Sequence, residues 1–218
     1  MILAVDTTHE FGSLALVEPD HVVEEVLVHS PGGHSQVLFD QLERLLERHE
    51  ITVQEMECFA VASGPGSFTG VRVGLAAVKG LAEAAAKQVV PVSNLEAIAF
   101  SGVARVRAVV IDARRGDVYA AVFDDALSVV LPERVTKFSS WLDTVPDGDL
   151  EFLSTDFAPF AAALIGTRFE LAPVRTVPRA LAGAIGCIAY QRPRLDSAII
   201  RANYVRRSDA ELLWKDQA

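Results

Sequence analysis

No stretch of this chain limits its fold as tightly as Gly64-Pro65-Gly66-Ser67-Phe68-Thr69-Gly70-Val71-Arg72-Val73-Gly74. A short apolar run, Cys58 to Ala62, leads into it, and a long Ala-rich run, Leu75 to Ala86, leaves it. The order predicts a strand, a tight loop and a helix, with Ser67 or Thr69 as the helix cap. Glycines are costly in chain entropy, so their clustering predicts positive φ or a close backbone approach. Two readings compete. Glycine-rich loops at helix starts hold phosphate through free N–H groups and the helix dipole. The spacing here, however, fits neither Gly-x-x-x-x-Gly-Lys-Ser/Thr nor Gly-x-Gly-x-x-Gly, whose sixth position is Thr69. The other reading is packing. Gly70 and Gly74 are one helical turn apart, as are Ala76 and Gly80, with Ala77 and Ala84 near the same side, a smooth face on which a second helix could lie close.

Around this block the chain reads as alternating strands and helices. Ile2 to Val5, Phe11 to Val17 and Val22 to Val28 are β-type runs separated by Asp6-Thr7-Thr8 and Pro19-Asp20, so the chain opens as three antiparallel strands. His34 to His49 predicts a helix capped by Ser35, with Leu38, Leu42, Leu45 and Leu46 on one stripe. After the glycine block come an expected strand at Val89 to Val92 and a helix opened by the capping box Ser93-Asn94-Leu95-Glu96. Glu83 and Lys87 are spaced for an ion pair on the preceding helix. Ala108-Val109-Val110-Ile111-Asp112 then echoes Ile2-Leu3-Ala4-Val5-Asp6, again followed by a polar turn and a second β run, Val118 to Phe123. The echo predicts a duplicated lobe: an N-terminal lobe over 1–102 and a C-terminal lobe over 103–218. The later elements expected are helices at Phe138 to Leu142, Phe157 to Ile165 and Arg179 to Tyr190. Strands are expected at Glu151 to Leu153 and Phe169 to Leu171. A tail helix opened by Ser208-Asp209-Ala210-Glu211 is expected to return toward the first lobe.

Composition narrows the function classes. Half of the 218 residues are apolar, yet no apolar run reaches membrane-spanning length, so no membrane association is expected. The N-terminus makes a poor signal peptide and a good buried strand. Cys58 and Cys187 form no metal or redox pattern, which points to a reduced, cytoplasmic setting. A net charge of −9 makes the chain alone a poor nucleic-acid binder. Arg114-Arg115 and Arg206-Arg207 are the clearest basic pairs. No nucleophile stands out, since Ser67 lacks the Gly-x-Ser-x-Gly setting.

The element order resembles the actin-like ATPase (ribonuclease H-like) superfamily, an α/β fold of two related lobes, each a mixed sheet flanked by helices. Four segments narrow the resemblance to the bacterial TsaB (YeaZ) family. They are Ile2-Leu3-Ala4-Val5-Asp6-Thr7-Thr8, His34-Ser35-Gln36-Val37-Leu38, the glycine block, and Asp112-Ala113-Arg114-Arg115-Gly116-Asp117-Val118-Tyr119. Tyr204-Val205-Arg206-Arg207 resembles a further family segment in which Pro usually stands at the position of Ala202. The resemblance implies a non-catalytic subunit for making threonylcarbamoyladenosine in tRNA. Such a subunit pairs with a catalytic paralogue, TsaD, through the first two long helices, is joined by the ATPase TsaE, and meets tRNA only through the complex. A homodimer through the same helices is the alternative pairing.

The site residues follow from these readings. The partner interface expected on the two helices is His34, Leu38, Leu42, Leu45, Gly70, Val71, Gly74, Ala77 and Leu81. The paralogue's metal site uses two histidines one turn apart; here His34 stands at the first position and Leu38, which cannot ligate, at the second. No metal, cofactor or catalytic residue is therefore expected, and His34 is expected to cap or orient its helix. Asp6-Thr7-Thr8 lies where the superfamily's first phosphate loop would be. Asp112 is the candidate for the partner loop, although Ala113-Arg114-Arg115 lacks the glycines that let N–H groups surround phosphate. These four residues are the weak nucleotide-site candidates, and an actin-like ATPase or small-molecule kinase is the rival function.

Overall fold

The structure is a computed structural model and describes residues 1–205. The expected tail helix from Ser208 lies outside the described residues. The chain divides into two compact units, Met1–Ser101 with Pro178–Asn203, and a second unit beginning at Gly102 and running through Val177.

Unit 1 is built on a five-stranded mixed sheet in the order β3-β2-β1-β4-β5. Its strands are β1 (Ile2–Asp6), β2 (Phe11–Glu18), β3 (His21–His29), β4 (Cys58–Ala62) and β5 (Val89–Val92). β1 to β3 are antiparallel neighbours, as expected, while β4 runs parallel to β1 and β5 parallel to β4. Side chains alternate across the sheet. Leu3, Val5, Leu14, Leu16, Phe59 and Val61 form one core with α1 (Leu38–Arg48) and α2 (Phe68–Ala85). On the opposite face, Ala4 and Val17 meet α6 (Ala182–Ala189), where a Cβ on Gly186 would stand 2.4 Å from Val17 Cγ2 and 3.4 Å from Ala4 Cβ. α3 (Asn94–Phe100) packs beside α6.

The two helices bordering the glycine block behave differently from their outline. His34–Gln36 is a short 3-10 turn, and α1 starts only at Leu38, with Val37 at its cap, not Ser35. Ser67 does cap α2, accepting from the Gly70 N–H at 3.4 Å. Ser93 caps α3 through the Leu95 N–H, but Glu96 pairs with Arg192 instead of closing a box. Likewise Glu83 accepts from the Ser197 hydroxyl instead of meeting Lys87.

The segment after Pro178 was expected with the C-terminal lobe; it packs with unit 1. The Arg179 guanidinium lies over the Phe11 ring, 4.2 Å from its centroid. α6 begins at Ala182, where Ser13 Oγ accepts the N–H groups of Leu181 and Ala182 at 3.0 and 2.9 Å. Glu25 Oε1 accepts that of Gly183 at 2.7 Å. Three free helix-start donors are thus satisfied by side chains from β2 and β3. Leu195 then exchanges two hydrogen bonds of 2.9 Å with Val89.

Unit 2 repeats the topology. Its sheet runs β10-β9-β6-β7-β8, so β6 (Val106–Asp112) takes the central place of β1. β7 (Asp117–Asp124) and β8 (Val129–Lys137) are antiparallel, and β9 (Leu150–Ser154) and β10 (Val174–Thr176) are parallel. The strand expected at Phe169 to Leu171 is a turn, and β10 forms three residues later: Phe169 is buried, whereas Leu171 is 95% exposed. The helices shrink to α4 (Phe138–Leu142) and α5 (Ala158–Ala161), the latter continuing as a 3-10 turn. Aromatic rings fill the space. Phe138, Trp141, Phe152, Phe157, Phe160 and Phe169 pack at centroid distances of 5.3 to 6.3 Å, mostly edge-to-face or tilted. The buried Glu151 carboxylate accepts from the N–H groups of Val103 and Ala104 and from Arg175 Nε, fastening the start of the unit to its sheet.

Candidate functional site

The end of β1 meets the glycine block at very short range. Gly70 lies so close to Thr7 that an added Cβ would stand 2.0 Å from the Thr7 carbonyl oxygen, and one on Gly74 would stand 2.5 Å from Thr7 Oγ1. The Thr7 hydroxyl donates to the Gly70 carbonyl at 2.7 Å, and the Ser67 N–H donates to the Thr8 carbonyl at 2.6 Å. Gly64, at φ +105°, makes the bend that brings the loop there. Packing is therefore what the glycines serve, but the object packed is the chain's own Thr7-Thr8 turn, not a second helix.

Asp6 sits at the centre. Its Oδ1 accepts from the Thr8 N–H and the Thr8 hydroxyl at 2.8 and 2.7 Å, and its Oδ2 lies 3.4 Å from Asn94 Nδ2 and 3.6 Å from His9 Nε2. Asn94 Nδ2 also donates to Thr8 Oγ1 at 2.8 Å, while Asn94 Oδ1 accepts the Gly64 N–H at 3.1 Å. A buried carboxylate requires such partners. Asp6, Thr7 and Thr8 are 1%, 2% and 0% exposed, so in this conformation the would-be phosphate loop is closed over by residues of the same unit. Asn94 was not singled out by sequence; its one signal was a polar residue, not a helix former, at the first position after a cap.

His34 is buried, and its Nε2–H donates to the His9 carbonyl at 2.8 Å. A Cβ at Gly12 would come within 2.6 Å of the imidazole. The ring ties the start of α1 to the β1–β2 turn, an orienting role. Among the described residues, Glu18, Asp20 and His21 bring their polar atoms close together on the exposed β2–β3 hairpin, where His21 pairs with Asp20 at 2.8 Å.

The expected interface residues are mostly turned inward. Leu38, Leu42 and Leu45 are 4%, 4% and 0% exposed, and Val71, Gly74 and Ala77 are also buried in unit 1; Gly70 and Leu81 are half-buried. The apolar stripe that signals a helix also meets its own sheet, and this accounts for the difference. The outward surfaces carry other residues: Phe39, 53% exposed, with Asp40, Glu43, Arg44 and Glu47 on α1, and Thr69, Arg72, Ala76, Gly80 and Glu83 on α2. At Gly80 a Cβ would meet nothing within 4 Å. The two small-residue pairs thus part company: Gly70 and Gly74 face Thr7, Ala76 and Gly80 face out.

In unit 2, Asp112 is exposed, and its Oδ1 accepts the Arg114 N–H at 2.7 Å. Cys58 and Cys187 are free thiols, and burial pushes both up from the usual thiol range. No helix among the described residues is long and apolar enough to cross a membrane.

Comparison with known proteins places this geometry. The family model described as TsaD, tRNA N6-adenosine threonylcarbamoyltransferase, matches residues 30–168. The tRNA threonylcarbamoyladenosine biosynthesis protein TsaB of Bacillus subtilis is 28% identical, over 98% of this chain and 97% of that protein. TsaB of Escherichia coli is 36% identical, over 56% of this chain and 54% of that protein. A solved Pseudomonas aeruginosa protein described as similar to peptidase YEAZ has the same fold, with a TM-score of 0.78 at 22% identity over 94% of this chain and 99% of that one. YeaZ from the same organism gives 0.73 at 22% identity over 91% and 97%. Matched by that model over well more than half of its length, and with TsaB proteins from several bacteria among its relatives, the chain belongs to the TsaD family as a member of its TsaB (YeaZ) branch.

Proposed function

We propose that this chain is a cytoplasmic, non-catalytic subunit in the biosynthesis of threonylcarbamoyladenosine in tRNA. It acts by pairing with a TsaD-type catalytic paralogue and by helping to seat a TsaE-type ATPase. The pathway follows from the relatives' names. The observation that supports a non-catalytic role is the closed Asp6-Thr7-Thr8 turn. Its carboxylate and hydroxyls are held by Asn94 and Gly70 and lie buried under α2. α1 and α2 cover the same face of the unit 1 sheet, so their outer surfaces, with Phe39 on one and the bare Ala76–Gly80 strip on the other, are the surface offered for pairing. Small residues let a partner backbone approach closely there.

The test is co-purification with the catalytic paralogue of the same genome, followed by tRNA modification assays with and without this chain. Modification is expected only when both are present. The variant Ala76→Leu/Gly80→Leu is expected to remain folded, because both positions are exposed, and to lose the paralogue. Threonylcarbamoyl transfer to tRNA by the isolated chain would overturn the proposal.

A further inference from the structure

The hairpin joining β6 to β7 carries an unusual backbone. Ala113 N–H donates to the Asp117 carbonyl and Asp117 N–H to the Arg114 carbonyl, each at 3.0 Å, so residues 114–117 form a tight turn. Its central residues, Arg115 and Gly116, have φ of +56° and +75°, and Arg114 before them has +63°. Turns with both central residues at positive φ favour Asn-Gly. Two successive arginines in left-handed backbone are an unfavourable choice, because Cβ crowds the following carbonyl. Strain of this kind persists where the surroundings hold it and points to function.

The surroundings do hold it. Asp112 Oδ1 accepts the Arg114 N–H at 2.7 Å, and Lys137 Nζ donates to the Arg115 carbonyl at 3.0 Å while pairing with Asp117 Oδ1 at 2.8 Å. Arg114, Arg115 and Gly116 are all exposed. Arg114 and Arg115 are thus exposed at the tip of a hairpin braced by these bonds, in a chain whose net charge is −9. Guanidinium forks match phosphate oxygens, and a pre-ordered tip loses little entropy on contact. Small-ligand sites are concave, whereas an exposed hairpin tip can meet an extended polyanion.

We propose that Arg114 and Arg115 contact the phosphate backbone of tRNA. This rests on the functional reading above and adds a named surface to it. The test replaces both arginines with the residue the turn prefers, Arg114→Asn/Arg115→Asn, in the full chain reconstituted with its paralogue. An unmodified tRNA transcript is titrated at several salt concentrations. The expected result is an unchanged or higher Tm together with about three- to tenfold weaker tRNA binding. The slope of log K against log salt should become shallower by about 1 to 2, as expected for one or two lost phosphate contacts. Arg114→Lys/Arg115→Lys should keep most of that slope. Unchanged tRNA affinity and slope would overturn the proposal, as would a binding loss matched by a lower Tm, or a loss of ATP binding with tRNA binding intact. If the variant binds tRNA normally while modification still requires the chain, the hairpin contact fails and the subunit role stands. If modification never requires the chain, both fail.

Discussion

After β1 the Asp6 carboxylate turns back onto the N–H of Thr8, two residues on; after β6 Asp112 does the same to Arg114, at 2.8 and 2.7 Å. The local figure is shared, and the burial is opposite. Thr7 and Thr8 lie under α2 at 2% and 0% exposure, whereas Arg114 and Arg115 are exposed. The cause is the connection between the two parallel strands. In unit 1 it is the glycine block and the eighteen-residue α2, smooth enough to settle on the turn; in unit 2 it is the four-residue α5 and a 3-10 turn. A duplicated turn can thus become internal scaffolding in one copy and a display surface in the other, depending on the helix laid across it.

The comparison breaks most easily at Gly70. Gly70→Ala forces a Cβ against the Thr7 carbonyl and should lower stability by about 3 kcal/mol or more, as severe overpacking against backbone does. Gly80→Ala, on the same helix but in open space, should raise it by about 0.5–1 kcal/mol. Urea unfolding of the two variants side by side checks this, and a Gly70→Ala protein as stable as the parent would show that the close approach is dispensable. The paired carboxylates give the next largest contrast. Asp6→Ala should cost about 2–3 kcal/mol, the range for buried bonds to a charged group, and Asp112→Ala less than about 1 kcal/mol. Equal losses by the same measurement would erase the distinction between scaffold and display.

The smallest effect reads the first turn's charge from outside. Glu25 is exposed along β3, yet its carboxylate lies against the start of α6. Desolvation there, with the Asp6 charge adding to it, holds its pKa above the usual carboxylate value, against the pull of the Gly183 N–H. A raised native pKa means that its stabilising contribution is complete below the unfolded value near 4.5 and declines as pH rises through the native one. Glu25→Gln, which keeps an acceptor for Gly183, should therefore have a Tm equal to or slightly above the parent at pH 7. That difference should shrink toward pH 4. A gap that widens on acidification would reverse the sign.

The opening strands and the duplication were legible because Ile2 to Asp6 and Ala108 to Asp112 announce themselves as apolar runs ended by Asp. The direction of the helix faces was not. Leu38, Leu42 and Leu45 form the same stripe whether they meet a partner or their own sheet, and Gly70-Gly74 and Ala76-Gly80 have identical spacing with opposite exposures. The Asp6 network depends on Asn94, eighty-eight residues away, and α6 starts where Ser13 and Glu25 permit. Such long-range capping leaves no local trace. Arg179 reads as a helix residue in sequence, yet α6 starts at Ala182 and the Arg179 guanidinium lies over Phe11, far away along the chain.

The return of Pro178–Asn203 to unit 1 has a consequence for how the chain matures. The sheet face carrying Ala4 and Val17 has no α6 to cover it until residues near the far end have left the ribosome, although its strands are made first. Unit 2, whose described core is continuous in sequence, can condense while that face is still bare. Translation stopped before α6 leaves that face of unit 1 uncovered, and bare apolar surface of this kind is what makes incomplete chains prone to aggregate.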